Sequence, residues 1–247
     1  MNSDHFTDVA QQYAQSRPTY PPELFTWLAQ TCAGHGLAWD VGAGNGQASV
    51  AIAAHFAKVL ATDLSQAQVA QAVPHERIQY RVAPADRSGL PDASADVVTV
   101  AQALHWFDLD RFYAEVRRVL KPGGLLAAWT YGVLHVEGKA VDARVCHFYH
   151  RVVGPYWPAE RRHVESGYAQ LPFPFEEVTS PALAIRLSWT LDDLLGYCRS
   201  WSATSHCHRA TGSDPVIALD AELASVWGKR EQRRLVTWPI AIRAGIR

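Results

Sequence analysis

The sequence predicts an α/β fold, an open and doubly wound sheet with mostly parallel strands, and three observations predict it. Short apolar strands alternate with helical segments from Leu37 onward. A glycine-rich turn, Gly42-Ala-Gly-Asn-Gly46, joins the first strand of that series to its first helix. The 247 residues, 48% of them apolar, can bury a sizeable core and contain no repeat, low-complexity tract or linker. Strands and helices alternating at this spacing imply βαβ units, whose crossovers pair strands in parallel.

The stretch to Ala33 reads as two helices. Pro21 and Pro22 suit the first turn of the second, and Leu24, Trp27 and Leu28 recur at i, i+3, i+4 before Gly34. Leu37 to Val41 is a strand, and Gln47 to Phe56 is a helix, apolar on most sides and therefore buried. Lys58 to Thr62 is the second strand, and Ser65 caps a helix through Val73. Ile78 to Val82 and Asp96 to Ala101 are the third and fourth strands. Asp108 caps a helix striped by Phe112, Val116, Val119 and Leu120, with Asp110 early and Arg117, Arg118 and Lys121 late, as the helix dipole favours. Pro122-Gly123-Gly124 stops that helix, and Leu125 to Trp129 is the fifth strand.

Beyond Thr130 the alternation loosens. Phe175 to Trp189 is a strand region, Leu191 to Ala203 and Ala218 to Gly228 are helices, and Leu235 to Ile242 is a last strand. The expected organisation is one domain over 1–247: N-terminal helices about 1–34, a ligand-binding core about 35–130, and a cap with C-terminal strands about 131–247.

Composition removes several function classes. A net charge of −1 gives no general pull toward nucleic acid or an anionic membrane. No apolar run reaches the roughly 20 residues of a membrane span, and Met1 to Ala10 lacks a basic-then-apolar signal pattern. None of the four cysteines forms a Cys-x-x-Cys pair. The expectation is a cytoplasmic protein with reduced thiols, a monomer or homodimer acting on a small molecule.

The chemistry starts at Asp40-Val-Gly-Ala-Gly-Asn-Gly46. Glycines let the chain turn sharply and let a ligand lie against bare backbone. The spacing is Gly-x-Gly-x-Gly, which departs from the dinucleotide fingerprint, and no Lys-Ser or Lys-Thr follows as a P-loop requires. A carboxylate just before the loop repels a pyrophosphate but attracts a ligand bearing sulfonium and ammonium groups. That favours S-adenosylmethionine over NAD; the plain alternative is a structural turn. Asp63, at the end of the second strand, can accept both hydroxyls of a ribose. In Ala85-Asp86-Arg-Ser-Gly-Leu-Pro-Asp92, after the third strand, a backbone amide and the Asp86 carboxylate suit an adenine edge.

These segments, with Ala101-Gln-Ala-Leu-His-Trp-Phe107 and Arg118-Val-Leu-Lys-Pro-Gly-Gly124, fall in the order of class I S-adenosylmethionine-dependent methyltransferases. The chain most resembles their type 11 branch, which includes trans-aconitate methyltransferase-like proteins. Tyr13-Ala-Gln-Ser-Arg-Pro-Thr-Tyr-Pro21, Ser200-Trp-Ser-Ala203 and Val236-Thr-Trp-Pro239 carry the likeness over nearly the whole chain. The resemblance implies a seven-stranded Rossmann-like sheet with an inserted, mainly helical cap. It implies S-adenosylmethionine as methyl donor and S-adenosylhomocysteine as product. By resemblance Asp40, Gly42, Ala43 and Gly44 face the methionine part, Asp63 takes the ribose, Leu64, Ala85 and Asp86 meet the adenine, and Ala101 and Gln102 pass beneath the cofactor. Tyr13 and Arg17 approach the active site. One departure stands out: Arg87-Ser88-Gly89 intervene after Asp86, and no Phe follows Pro91.

His105 and Trp106 follow the fourth strand, where an acceptor meets the methyl group. A neutral histidine there can take a proton from a hydroxyl or amine; a carboxylate nucleophile needs no base, and His105 then only shapes the wall. Trp106, Trp129 and Trp201 are candidates for the aromatic lining of the acceptor pocket, against the plain alternative of core packing. Cys198, His206, Cys207 and His208 lack the spacing of a zinc site, so no metal is expected. The reading is methyl transfer to a small molecule, a carboxylic acid by family resemblance. The alternative is a regulatory or inactive protein that keeps the cofactor-binding fold.

Overall fold

The computed structural model describes residues 18–247. Tyr13, Arg17 and the first expected helix lie outside the described residues. The chain divides into two compact units. One gathers Tyr20–Gly132, Arg162–Leu183 and Ile240–Arg247; the other gathers Val133–Arg161 and Ala184–Pro239.

The first of these holds the expected alternation. Helix α1 (Pro22–Thr31) starts on Pro22 and buries Leu24, Phe25 and Leu28. Then follow β1 (Leu37–Val41), α2 (Gln47–Ala53), β2 (Lys58–Asp63), α3 (Gln66–Ala70), β3 (Ile78–Val82), β4 (Ala95–Ala101), α4 (Leu109–Val119) and β5 (Leu120–Tyr131). The strands run parallel in the order β3-β2-β1-β4-β5. The end of β9 (Arg234–Ile246) lies antiparallel on β5, with Ala127 opposite Ala244, and β7 (Glu176–Glu177) pairs with its last residues. Order reverses between β1 and β4, and this switch point opens a crevice at the strands' carboxyl ends.

The strands are buried on both faces: Trp39, Val41, Leu60, Val98, Val100, Leu126 and Ala128 meet Phe112, Val116 and Val119 of α4 in one core. Burying each large side chain contributes about 1.5–3 kcal/mol. Asp96 fastens the base of the sheet. Its carboxylate accepts from the Gly36 and Leu37 amides and from Lys121 Nζ, at 2.7–2.8 Å.

Local chemistry sets the ends of these helices. Ser65 and Asp108 cap α3 and α4 through the amides of Gln68 and Arg111, as their positions predict. Pro122-Gly123-Gly124, expected to stop α4, does not do so: the helix ends at Val119 and the chain already enters β5 at Leu120. Between the pairs Ala95–Leu120 and Val97–Leu125 the register shifts, so the Pro-Gly-Gly segment is absorbed as an irregularity in the strand.

The second unit is mainly helical. It contains β6 (His135–Val136), α5 (Lys139–His147), a π-helical turn (Phe148–Val152) and a 3-10 turn (Gly154–Tyr156). α6 (Arg161–Glu165) starts at its end, and β8 (Leu183–Trp189), α7 (Leu191–Arg199), α8 (Ser202–Thr211) and α9 (Pro215–Trp227) follow. β6 pairs antiparallel with the first part of β9, Val136 opposite Val236. One helix expected over Leu191–Ala203 is instead two. The break is satisfied locally: Ser200 Oγ donates to the Tyr197 carbonyl at 2.6 Å, and Thr204 Oγ1 donates to that of Cys198 at 2.7 Å. Trp201 then adopts extended backbone and starts α8. Similarly, the strand region expected over Phe175–Trp189 resolves into β7 and β8, separated by irregular chain that includes Pro181.

Candidate functional site

A cavity of about 350 Å³ opens at the carboxyl ends of β1 to β4. It is lined by Gly42, Asp63, Leu64, Ala83–Asp86, Ala103 and Trp106–Asp108. Every one of these residues follows, or ends, a parallel strand, as the switch point requires.

The floor of this cavity is the turn after β1. Gly42 has φ +66° and Gly46 φ +86°, conformations that side-chain-bearing residues avoid. Space excludes a side chain too: a Cβ on Gly42 would lie 2.6 Å from Ala103 Cβ, and one on Gly46 would lie 2.4 Å from Tyr80 Oη. The loop is tied to the second strand by Asp63. Its Oδ2 accepts the Gly44 amide and its Oδ1 accepts the Ser65 amide, both at 2.8 Å. An ionised carboxylate has about four acceptor positions, so capacity remains on both oxygens for the paired hydroxyls of a ribose.

Asp40 has a different place from the one expected. It is fully buried beneath the loop and does not line the cavity. Its Oδ2 accepts from Ser49 Oγ at 2.6 Å and its Oδ1 from Thr99 Oγ1 at 2.8 Å. Burial pushes its carboxyl up, the two hydroxyl bonds pull it down, and the nearby Asp63 charge adds to the rise; the result is about 6. Asp40 thus joins β1, α2 and β4 from inside.

The wall after β3 carries Ala85 and Asp86, and Asp86 faces Arg111 at 3.6 Å. Behind it, Glu115 of α4 accepts from both the amide and the hydroxyl of Ser88, at 2.8 and 2.6 Å, and from Arg118. Burial raises this carboxyl, but the bonds from Arg118 and Ser88 outweigh burial and hold it below the ordinary range. The inserted Arg87-Ser88-Gly89 is therefore fastened to the helix behind it. The Arg118 motif, legible in the sequence, does this fastening; the partner Glu115 gave no signal of its own.

Among the described residues, three acidic side chains, Asp63, Asp86 and Asp108, line the cavity, and no Lys, Arg or His does. Such a lining repels a pyrophosphate and attracts a cationic ligand. Leu64, 74% exposed, and Trp106, 62% exposed, supply apolar surface on opposite loops. Ala83, Pro84, Ala103 and Phe107 also line the cavity although sequence reasoning did not single them out, and Asp108 had been read only as a helix cap. The first four are small or apolar residues within or beside recognised motifs, without a chemical signature of their own.

Other candidates stand apart from this lining. Ala43, Gly44, Ala101 and Gln102 are adjacent to it in the chain. Gln102 has φ +60°, and its side-chain amide bridges Thr130 Oγ1, at 2.6 Å, to the Tyr131 carbonyl, at 3.2 Å. His105 lies on a 3-10 turn (Leu104–Trp106), with Nδ1 3.1 Å from Tyr168 Oη. Trp129 is fully buried, packed edge-on against Tyr20 and Phe25. Trp201 belongs to the second unit, where it meets Tyr149, Trp157 and Tyr197 in an aromatic cluster. His206 is engaged through Nδ1 with the Tyr156 carbonyl, and Cys207 is buried. Among the described residues, one trio of metal-type side chains converges: His135, Asp142 and Cys146, with ligand atoms within 4.8 Å. There Asp142 already faces His135 and accepts the Val136 amide.

Residues 39–128 match the family model described as a methyltransferase domain. A Dictyostelium discoideum protein that carries a methyltransferase name is 35% identical over 228 residues, 91% of this chain and 86% of that one. A Saccharomyces cerevisiae protein named for S-adenosylmethionine-dependent methyl transfer is 31% identical over 128 residues, 48% of this chain and 44% of its own. Among solved structures, one from Anaeromyxobacter dehalogenans, assigned by name to the type II methyltransferases, superimposes with a TM-score of 0.89 at 50% identity. That match covers 93% of this chain and 97% of the other.

Proposed function

Since the chain belongs to the class I S-adenosylmethionine-dependent methyltransferases, we propose that its acceptor is a small molecule with a carboxylic acid group. The resemblance to the type 11 branch leads to that acceptor class. When bound, the cofactor supplies a methyl group on positively charged sulfur, open to in-line displacement.

One observation carries the assignment of the cofactor residues. The carboxylate of Asp63 holds the glycine turn by the Gly44 amide and also lines the cavity at the switch point. In this reading Asp63 takes the ribose hydroxyls, Ala85 and Asp86 meet the adenine edge, and Leu64 flanks the base. Gly42, Ala43 and Gly44 lie along the methionine part. Asp40 acts from below the loop, through its charge and its two hydroxyl bonds, and Ala101 and Gln102 form the turn that leads to His105. The lining suits the cofactor: Gly42 brings bare backbone to the cavity, and three carboxylates offset its positive charge.

The protein's part in the chemistry is placement. Holding nucleophile and methyl group about 3–3.5 Å apart in a dry pocket supplies most of the rate. Tyr13, Arg17, His105, Trp106, Trp129 and Trp201 remain the proposed acceptor-side residues. No described helix is long and apolar enough to cross a membrane, and we place the protein in the cytoplasm on its reduced-cysteine pattern. The test is transfer of labelled methyl from S-adenosylmethionine to a panel of small carboxylic acids, alcohols and amines. Methyl-ester formation on an acid supports the reading; turnover confined to alcohols or amines overturns the acceptor class.

A further inference from the structure

In the helical unit, β6 and α5 meet through a turn that the chain fastens firmly. Gly138 joins them with φ +103°, and a Cβ there would lie 3.0 Å from Arg234 Nη1. That guanidinium donates to the Glu137 carbonyl at 3.1 Å, and the Glu137 amide donates to the Leu235 carbonyl at 2.8 Å. Val141 and Val145 bury one face of α5. Asp142 and Cys146 occupy an adjacent one, at i and i+4, where helix side chains are neighbours. β6 brings His135 to the same place.

The nitrogen, oxygen and sulfur of His135, Asp142 and Cys146 lie within 4.8 Å of one another. His135 Nδ1 stands 3.4 Å from Asp142 Oδ2, while Asp142 Oδ1 accepts the Val136 amide at 2.9 Å. A direct N–H···O bond closes to about 2.7–3.2 Å, so the His–Asp contact is long for one. Two such ligands on a tetrahedral zinc ion, with bonds of about 2.0–2.2 Å, stand about 3.3–3.6 Å apart. The Val136 amide holds the carboxylate as outer hydrogen bonds hold ligands in metal sites. A His–Asp pair that only ties a strand to a helix has no use for a thiol beside it.

We infer that His135, Asp142 and Cys146 form a binding site for a zinc-class divalent cation, which clamps α5 to β6 through His135 Nδ1, Asp142 Oδ2 and Cys146 Sγ. The donor set selects the ion. Imidazole, carboxylate and thiolate together suit zinc, whereas magnesium and calcium take oxygen ligands. Burial and the Asp142 charge push the Cys146 thiol up. A coordinated cation reverses that balance: the S–H proton leaves to solvent as the metal–sulfur bond forms. His135 is exposed and the other two are half-buried, so an ion can enter from solvent and keep a water in its fourth position. The sequence hides this site because one ligand lies on a strand and the other two on a helix, without a close cysteine or histidine pair.

The experiment uses the full chain, stripped with chelator and kept reduced. It titrates wild type, Cys146→Ser and His135→Ala with Co2+, followed by absorption, and with Zn2+, followed by calorimetry and thermal melting. Wild type should show a thiolate-to-cobalt charge-transfer band, displaced by Zn2+, and should melt higher with Zn2+. Cys146→Ser should lose the band, and both variants should bind Zn2+ at least about 10- to 100-fold more weakly, the loss that removal of even an outer partner causes. No thiolate band in wild type, an undiminished band in Cys146→Ser, or Zn2+ affinity unchanged in either variant overturns the inference. His135 is exposed, so His135→Ala keeps the test open if Cys146→Ser does not fold. Methyl transfer is not among the readouts, and the outcome is independent of the acceptor class.

Discussion

Asp63 Oδ2 accepts the amide of Gly44 at 2.8 Å, so the carboxylate that ends β2 also holds the turn that ends β1. One side chain thus organises the ligand loop and offers its remaining lone pairs to the cavity. Asp63→Ala should lower affinity for S-adenosylhomocysteine by about 10- to 100-fold, the loss expected when hydrogen bonds to a charged group worth about 1.5–3 kcal/mol are removed. Calorimetric titration of both proteins checks this. Equal affinities would remove Asp63 from the site.

The glycines of the loop should differ in tolerance. Gly42→Ala meets Ala103 Cβ at 2.6 Å and keeps a left-handed φ, so both space and backbone oppose it. Gly44 also has a positive φ, but among the described residues an added Cβ finds only Gln68 Oε1, at 3.7 Å. Gly44→Ala should therefore cost about 1 kcal/mol of backbone strain, and Gly42→Ala about 2–4 kcal/mol with loss of cofactor binding. Thermal melts with and without S-adenosylhomocysteine would show the order; a Gly44 variant that is the weaker of the two would contradict it.

Asp40 makes the fold sensitive to pH in the direction opposite to an ordinary surface acid. Its folded value, about 6, lies above the unfolded value of 3.8. Its contribution is therefore fully present below pH 3.8 and is lost as pH rises through 6. A shift of this size corresponds to about 2–3 kcal/mol. Asp40→Asn keeps an acceptor for one hydroxyl and gives the other a donor, without the buried charge. It should melt higher than wild type at pH 8 and lose that advantage by pH 4. A variant less stable at pH 8 would show that the charge is compensated in the fold.

How far these features were legible in the sequence depends on what fixes them. The parallel core was readable because its signals are local: period changes between strand and helix, caps at Ser65 and Asp108, and glycines at a strand–helix turn. The place of Asp63 at the end of β2, where it lines the cavity, followed from the same logic. Asp40 was misplaced because adjacency in sequence does not show which way a strand residue faces; alternation points it inward, toward Ser49 and Thr99. The division of Leu191–Ala203 was missed because Ser200 and Thr204 end and restart helices through side-chain bonds that leave the apolar pattern unbroken. The Tyr168 partner of His105 was invisible, since 63 residues separate them and the contact exists only in the folded chain.

Glu115 offers a last test, because it joins a loop of the ligand site to the helix behind it. It accepts from the amide and hydroxyl of Ser88 and from Arg118, and Arg118 reaches on to Asp92. The carboxylate therefore fixes both ends of the segment that follows Ala85 and Asp86. Glutamine in its place keeps one acceptor for Ser88 but leaves the Arg118 charge with only Asp92, at a cost of about 1–3 kcal/mol. Its folded carboxyl lies below the ordinary glutamate value, so this stability is present above the unfolded pKa and is lost as pH falls through the folded one. Glu115→Gln should thus be clearly weaker than wild type at pH 7, and the gap should close under acid conditions. Hydrogen exchange of the Ser88 and Leu90 amides should quicken in the variant, and affinity for S-adenosylhomocysteine should fall less than in Asp63→Ala, because Glu115 acts on the loop and not on the ligand. Unchanged exchange at Ser88 would show that the loop is held by other contacts.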